Sequence, residues 1–466
     1  MKIKLLLFIL GLSFLSATAQ FGPQQIISTS TDFAIRAIPY DMDQDGFTDV
    51  VSASHFDGKI AWFKNLDGLG DFSNEIIISD GILALEGMEL FDLNSDGYLD
   101  VIYKTNLDKI AWLENLNGQG SFGTEQIIAD TNHPYTINVA DIDNDGDMDV
   151  FANLYHNTFN NRFVWYENMD GQGNFSDENL IEMGDFSASI LLNFDLDNDG
   201  DQDFITSYEG YPPSKLIWYE NLDGQGTFAE AQEIYQFNPL QSDWTSINNL
   251  ANSDINGDGK IDLLVITNLE EFPDHIYWLE NLDEQGNFGQ PQLIHVNETI
   301  IGTIRTYDLD NDSDNDILVS FSYGASTRIA WFENLDGLGD FGSEQIISTE
   351  VDKATDATAA DINGDDLPDV ISASATDDKI AWYENGFLGI EENKENNFKL
   401  YPNPTQGKLQ IHTNQEIILV EVYNLVGQKV LETKTEINLT NFESGIYFIK
   451  IKDSNGFSEV HKIIKE

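Results

Sequence analysis

The sequence predicts an all-β protein: a seven-bladed β-propeller of four-stranded blades, followed by a small β-sandwich. Three observations carry this. An acidic loop recurs at spacings of 49 to 59 residues, starting at Asp41, Asp92, Asp141, Asp195, Asp254, Asp308 and Asp361. Each loop is followed 20 to 24 residues later by a tryptophan: Trp62, Trp112, Trp165, Trp218, Trp278, Trp331 and Trp382. The charge then divides the chain. The whole has a formal net charge of -58, yet 398–466 holds 8 acidic and 8 basic residues, against 70 acidic and 12 basic in 20–390.

The elements follow in chain order. Lys2 and Lys4 precede the apolar run Leu5 to Leu15, and Ala17-Thr18-Ala19 is a small-x-small cleavage site. Residues 1–19 therefore read as a secretory signal peptide, with Gln20 the first mature residue. The apolar run is shorter than the about 20 residues that a spanning helix needs. No later segment is longer, so no transmembrane segment is expected in the mature chain. Residues 20–386 form the repeats. In the first unit, Ala34 to Tyr40 precedes the acidic loop, and Val50 to Ala53, Lys59 to Phe63 and Phe72 to Ile78 follow it. Each stretch is β-prone and too short for a globular helix. Asn65-Leu66-Asp67-Gly68 between the last two is a turn signal. A period near 50 with four short strands fits a propeller blade better than the shorter repeats of a solenoid.

The two ends of this region complement each other. Phe21-Gly22-Pro23-Gln24-Gln25-Ile26-Ile27-Ser28 matches Phe341-Gly342-Ser343-Glu344-Gln345-Ile346-Ile347-Ser348, the fourth strand of the sixth unit. The last unit stops after Trp382-Tyr383-Glu384-Asn385 and lacks its own fourth strand. The N-terminal strand can supply it and close the ring, leaving no open edge. Residues 387–397 are polar and aperiodic and read as a linker to the last domain, 398–466.

Composition excludes several classes. With 41% hydrophobic and 12% aromatic residues in 466, the chain has material for real cores. A nucleic-acid partner is excluded by the sign of the charge. Cysteine is absent, so there are no disulfides and no thiolate ligands.

The acidic loops carry oxygen side chains at positions 1, 3, 5 and 9. These are Asp41, Asp43, Asp45, Asp49; Asp92, Asn94, Asp96, Asp100; Asp141, Asp143, Asp145, Asp149; and Asp195, Asp197, Asp199, Asp203. The last three loops supply Asp254, Asn256, Asp258, Asp262; Asp308, Asp310, Asp312, Asp316; and Asp361, Asn363, Asp365, Asp369. Short oxygen ligands alternating along a tight loop converge on a hard cation, and the ligand type suits Ca²⁺. Up to seven ions are expected. Position 6 is glycine in five loops and Ser313 or Asp366 in the last two, which are expected to bend differently or bind more weakly. No bidentate Glu at position 12 with flanking helices makes this an EF-hand.

The Asp-x-Asp-x-Asp-Gly-x-x-Asp units with their Phe-Gly starts resemble the FG-GAP/VCBS repeats of integrin alpha-subunit heads and bacterial secreted proteins. That resemblance covers 21–386. It implies a seven-bladed propeller with Ca²⁺ between the first and second strands of a blade, and no single function: members adhere, serve as accessory modules, or act as polysaccharide lyases. The last domain reads as short strands separated by turns at Gly407, Gly427, Gly445 and Asn455-Gly456. Tyr401-Pro402-Asn403-Pro404, Val422-Tyr423-Asn424 with Gly427-Gln428-Lys429-Val430, Gly445-Ile446-Tyr447 and Lys462-Ile463-Ile464-Lys465 resemble the type 9 secretion system C-terminal sorting domain of Bacteroidetes. The resemblance implies recognition by that secretion machinery through 398–466, and export across the outer membrane to a secreted or surface-attached state.

The connections opposite the acidic loops vary. They hold the ligand-face candidates His133, Tyr135, Tyr155, His156, Arg162, Tyr208, Tyr211, Trp244, Phe272 and His275. Aromatics among polar residues suit a glycan or a surface protein. No nucleophile elbow, zinc-binding helix motif or phosphate loop is present. The expected function is a non-catalytic adhesion or binding module. The alternative is a polysaccharide lyase or hydrolase on the same scaffold, recruiting His133, His156, Tyr135, Tyr155 and Arg162.

Overall fold

The computed structural model describes residues 20–386 and 399–465, apart from 131–132, 156–160, 185–190, 209–213, 238–244, 270–273, 298–299, 324–325, 414–416, 425–428, 435–436 and 454–457. The expected signal peptide and linker lie outside the described residues, as do His156, Tyr211, Trp244 and Phe272. Contacts divide the chain into two compact units, one spanning 19–387 and the other containing 388–466.

The larger unit is all-β. Its first sheet orders β2 (Ala34–Tyr40), β3 (Asp49–Ser54), β4 (Lys59–Phe63) and β5 (Ile76–Ser79) as an antiparallel meander. The same meander recurs over 85–130, 134–184, 191–236, 245–297 and 300–348. A seventh sheet is built from 354–383 plus β1 (Gln25–Ser28), which pairs antiparallel with Lys379–Tyr383. The first strands of successive sheets touch in order, and the first strand of the seventh touches β2. The result is a closed ring, a β-propeller. The fourth strand of the first sheet is shorter than the sequence suggests. Phe72 forms an isolated bridge with Asn65, and the strand proper begins at Ile76.

Packing explains the repeated tryptophans. All seven are buried, and six lie under a glycine of the next sheet's third-to-fourth turn. A Cβ on Gly173 would come within 2.2 Å of the Trp112 ring, and one on Gly70 within 2.3 Å of Trp382. Only glycine lets the turn lie flat on the indole, and φ values of 78° and 87° require it as well. Trp331, which precedes the seventh sheet, meets Phe21 instead, edge-on at 6.3 Å. The chain start thus completes both the pairing and the packing of the last sheet.

The smaller unit has a three-stranded sheet (Lys399–Tyr401, Lys408–His412, Ile437–Asn438) and a four-stranded one (Ile417–Asn424, Lys429–Thr433, Gly445–Asp453, Ser458–Lys465). Leu409, Val420, Val422, Ile437, Leu439, Ile449, Ile451 and Ile463 form its core. The short strands at 399–401 and 437–438 carry too few residues for a period-2 pattern to announce them.

Candidate metal centres and the opposite rim

Each acidic loop is built by the same three sets of hydrogen bonds. The position-1 carboxylate accepts from the amides of positions 5 and 6, as in Asp45 and Gly46 onto Asp41 at 3.0 and 2.9 Å. The position-5 carboxylate accepts from the amide of position 7, as in Phe47 onto Asp45 at 3.0 Å. The position-9 carboxylate is buried and spends both oxygens on backbone. Asp149 takes the Ile142 amide at 3.0 Å and the Asn168 amide at 2.7 Å. The residue at position 2, always apolar, is buried and anchors the loop: Met42, Leu93, Ile142, Leu196, Ile255, Leu309 and Ile362.

The loops are also tied to one another. Asn168 donates through Nδ2 to the Leu93 carbonyl of the preceding sheet's loop at 2.8 Å, and Asn221 to Ile142 at 2.9 Å. Asn334 to Ile255, Asn385 to Leu309 and Asn65 to Ile362 repeat the contact, the last across the closing junction of the ring. The Asn of the Asn-x-Asp-Gly turn is therefore a latch between blades.

Position 3 is different. Asp43, Asp143, Asp197 and Asp310 each hold a buried Oδ1 with no hydrogen-bond partner among the described residues. In the same four loops, three carboxylates bring an oxygen each to within 4.8 Å of one another: Asp41, Asp43, Asp45; Asp141, Asp143, Asp149; Asp195, Asp197, Asp199; and Asp308, Asp310, Asp316. These clusters can hold metal ions. Burial, then the neighbouring carboxylates Asp199, Glu220 and Asp195, pushes Asp197 up to about 6, and Asp310 rises to about 6 for the same reasons. Burial also raises the position-9 groups, to about 7 for Asp100, Asp149, Asp203, Asp316 and Asp369 and about 6 for Asp49 and Asp262. An orphaned oxygen facing crowded carboxylates fits a cation. The donors are all oxygen, which fits a hard one.

The expectation that loops six and seven bend differently is corrected. Ser313 and Asp366 adopt φ of 79° and 67°, and their amides bond Asp308 and Asp361 at 3.0 and 2.9 Å, as glycine does elsewhere. The hydrogen bonds impose the turn, and the side chain takes the left-handed strain of about 1–2 kcal/mol. Position 4 is also left-handed throughout, in Gln44, Ser95, Asn144, Asn198, Gly257, Asn311 and Gly364. Its mixed residue types hid this from sequence reading.

On the opposite rim the structure brings together only some candidates. The Tyr155 amide donates to the His133 carbonyl at 3.0 Å, and His133 Nδ1 contacts the Asn106 carbonyl at 2.7 Å. Tyr135 lies on the neighbouring strand at a β-bulge, 51% exposed, with Tyr155 39% exposed. Arg162 is drawn away to Glu178 at 2.6 Å. His275 stacks on Tyr277, and Tyr208 packs against the core between its own sheet and the preceding one. One cluster escaped sequence reading. Phe33, His55 and Phe56 gather at the first sheet, with Phe56 4.6 Å from Phe33 and 66% exposed. The Phe56-Asp57-Gly58 turn is the signal that was available.

Comparison with known proteins agrees with this architecture. A family model described as FG-GAP-like repeat matches 41–103, 92–152, 254–319 and 308–372, and one described as secretion system C-terminal sorting domain matches 399–466. Among solved structures, BBS1N in complex with ARL6DN, soaked with lead, matches with TM-score 0.50 at 9% identity, over 81% of this chain and 100% of that one. The Saccharomyces cerevisiae Sqt1 structure matches at TM-score 0.43 and 12% identity, over 72% of this chain and 81% of that one. No curated protein matches. At such identities the likeness to BBS1N speaks of fold alone. The chain carries FG-GAP-like repeats, built into a β-propeller, and a type 9 secretion sorting domain, and is exported across the outer membrane, to be secreted or held at the cell surface.

Proposed function

We propose that the propeller is a calcium-stabilised, non-catalytic binding module for a glycan or a surface protein. The observation that carries the calcium reading is the buried, unpartnered position-3 oxygen repeated at Asp143, Asp197 and Asp310. Positions 1, 3, 5 and 9 of a loop that takes calcium would hold the ion, with charge neutralisation as its chemistry. Mg²⁺ fits less well, since it keeps its waters in a strict octahedron. The recognition surface is the variable rim. Tyr135 and Tyr155 beside His133, and Phe56 on the first sheet, offer exposed rings on a rigid frame, as sugar stacking and protein hot spots both require.

The lyase reading is less well supported. Its charge neutraliser, Arg162, is held by Glu178. A glycan array probed in Ca²⁺, with the tyrosine pair Tyr135→Ala and Tyr155→Ala as control, tests the binding reading. Binding lost in the variant supports it. Turnover of an acidic polysaccharide, seen as new absorbance at 235 nm, would replace it with the lyase reading.

A further inference from the structure

The residue two places after each repeated tryptophan leaves its strand beside its own sheet's acidic loop. It is glutamate in six sheets, at Glu114, Glu167, Glu220, Glu280, Glu333 and Glu384, but Lys64 in the first. At the second to sixth loops this glutamate adds a carboxylate. Asn94 donates to Glu114 at 3.3 Å, and Glu167, Glu220 and Glu333 act on Asp143, Asp197 and Asp310 through their charge. In the first sheet, the Lys64 ammonium contacts Asp43 Oδ2 and lies 2.9 Å from Asp45 Oδ2. It enters the carboxylate cluster that Asp41 completes.

We propose that Lys64 is the resident cation of the first loop, so that the chain takes six calcium ions and closes its first blade without one. This rests on the calcium reading of the other loops. The chemistry is a substitution of charge for charge. An ammonium with three donors can neutralise and bridge two carboxylates as an ion would, while glutamate at the same place demands more positive charge. A divalent ion entering the first loop would have to expel Lys64 and break both contacts, or sit beside a like charge. The location is consistent with a purpose. The first sheet borders the seventh, where the ring closes: Asn65, next to Lys64, latches the Ile362 carbonyl, and Gly70 covers Trp382. A lysine-filled loop keeps that junction in place when calcium is scarce.

The test uses the full mature chain. Calcium bound per molecule at saturation is counted by elemental analysis after dialysis, for wild type and for Lys64→Glu. Six ions in wild type and seven in Lys64→Glu are expected. Equal counts in the two proteins, or seven in wild type, overturn the proposal. A second arm reads the lysine alone: Lys64→Met is compared with wild type by thermal melting in chelator, where a lower melting temperature is expected and an unchanged one overturns the proposal. Absence of calcium from both proteins overturns the six-site count together with the reading beneath it, whereas the chelator arm still decides whether Lys64 serves as the loop's cation.

Discussion

The two rims of the propeller are made by the same strands and obey different rules. On the rim of the acidic loops, one hydrogen-bond pattern appears seven times, down to which amide each carboxylate oxygen accepts. On the other rim the connections differ in length and composition, and aromatic side chains stand exposed at Phe56, Tyr135 and Tyr155. The difference teaches how a repeat protein divides labour. A feature copied into every blade serves the ring, because each blade must meet the same neighbour. A feature present in one blade is released from that duty and is free to meet something else.

The largest expected effect is removal of the ion. Even about 1 kcal/mol per occupied site would rival a net stability of about 5–15 kcal/mol. EDTA should lower the calorimetric melting temperature sharply, and Ca²⁺ should restore it better than Mg²⁺. A melt indifferent to chelator would remove calcium from the first rim and leave the comparison a matter of hydrogen bonds alone.

Next comes pH, in chelator. The position-9 aspartates sit at about 6 to 7 in the folded chain against 3.8 in the unfolded one. The native state therefore binds their protons more tightly. Stability from these groups is complete below about pH 4 and drains away as pH rises through 6 to 7. Calcium-free protein should melt higher at pH 5 than at pH 8, and saturating Ca²⁺ should shrink that gap. A melting temperature that rises with pH in chelator would contradict the burial of these carboxylates.

Single blade contacts should cost less. Gly173→Ala drives a Cβ into Trp112, and Asn168→Ala removes a latch and leaves the Leu93 carbonyl without its donor. Each should destabilise by about 1–3 kcal/mol in denaturant titration. The smallest effect on folding belongs to the other rim. Phe56→Ala and Tyr155→Ala should change stability by no more than about 0.5 kcal/mol, while lowering affinity for any ligand found on the array. A large loss of stability from Tyr155→Ala would return that residue to the frame.

Much of the frame was legible because repetition multiplies a weak signal. One Asp-rich turn is ambiguous; seven in register with seven tryptophans are not. The four strands per blade and the closing role of Phe21 to Ser28 follow from the same self-similarity. What stayed hidden depends on partners far apart in sequence. Asn385 reaches Leu309 across 76 residues, and no local period marks that contact. Lys64 looks like an ordinary exposed lysine until the loop beside it is seen. The position-9 aspartates read as ligands, yet the structure shows each carboxylate also holding two backbone amides.

The placement of β1 has a consequence for how the chain comes into being. Gln24 bonds the Tyr383 hydroxyl across 359 residues, and Gly22 bonds the Glu384 carbonyl. The first residues of this ring to be synthesised are the ones whose partners arrive last. Until residue 384 emerges, the opening strand has no mate and the seventh blade cannot exist. Such distant pairing slows folding, and here it also times it. The ring, by its own wiring, cannot close before its last strand has been made.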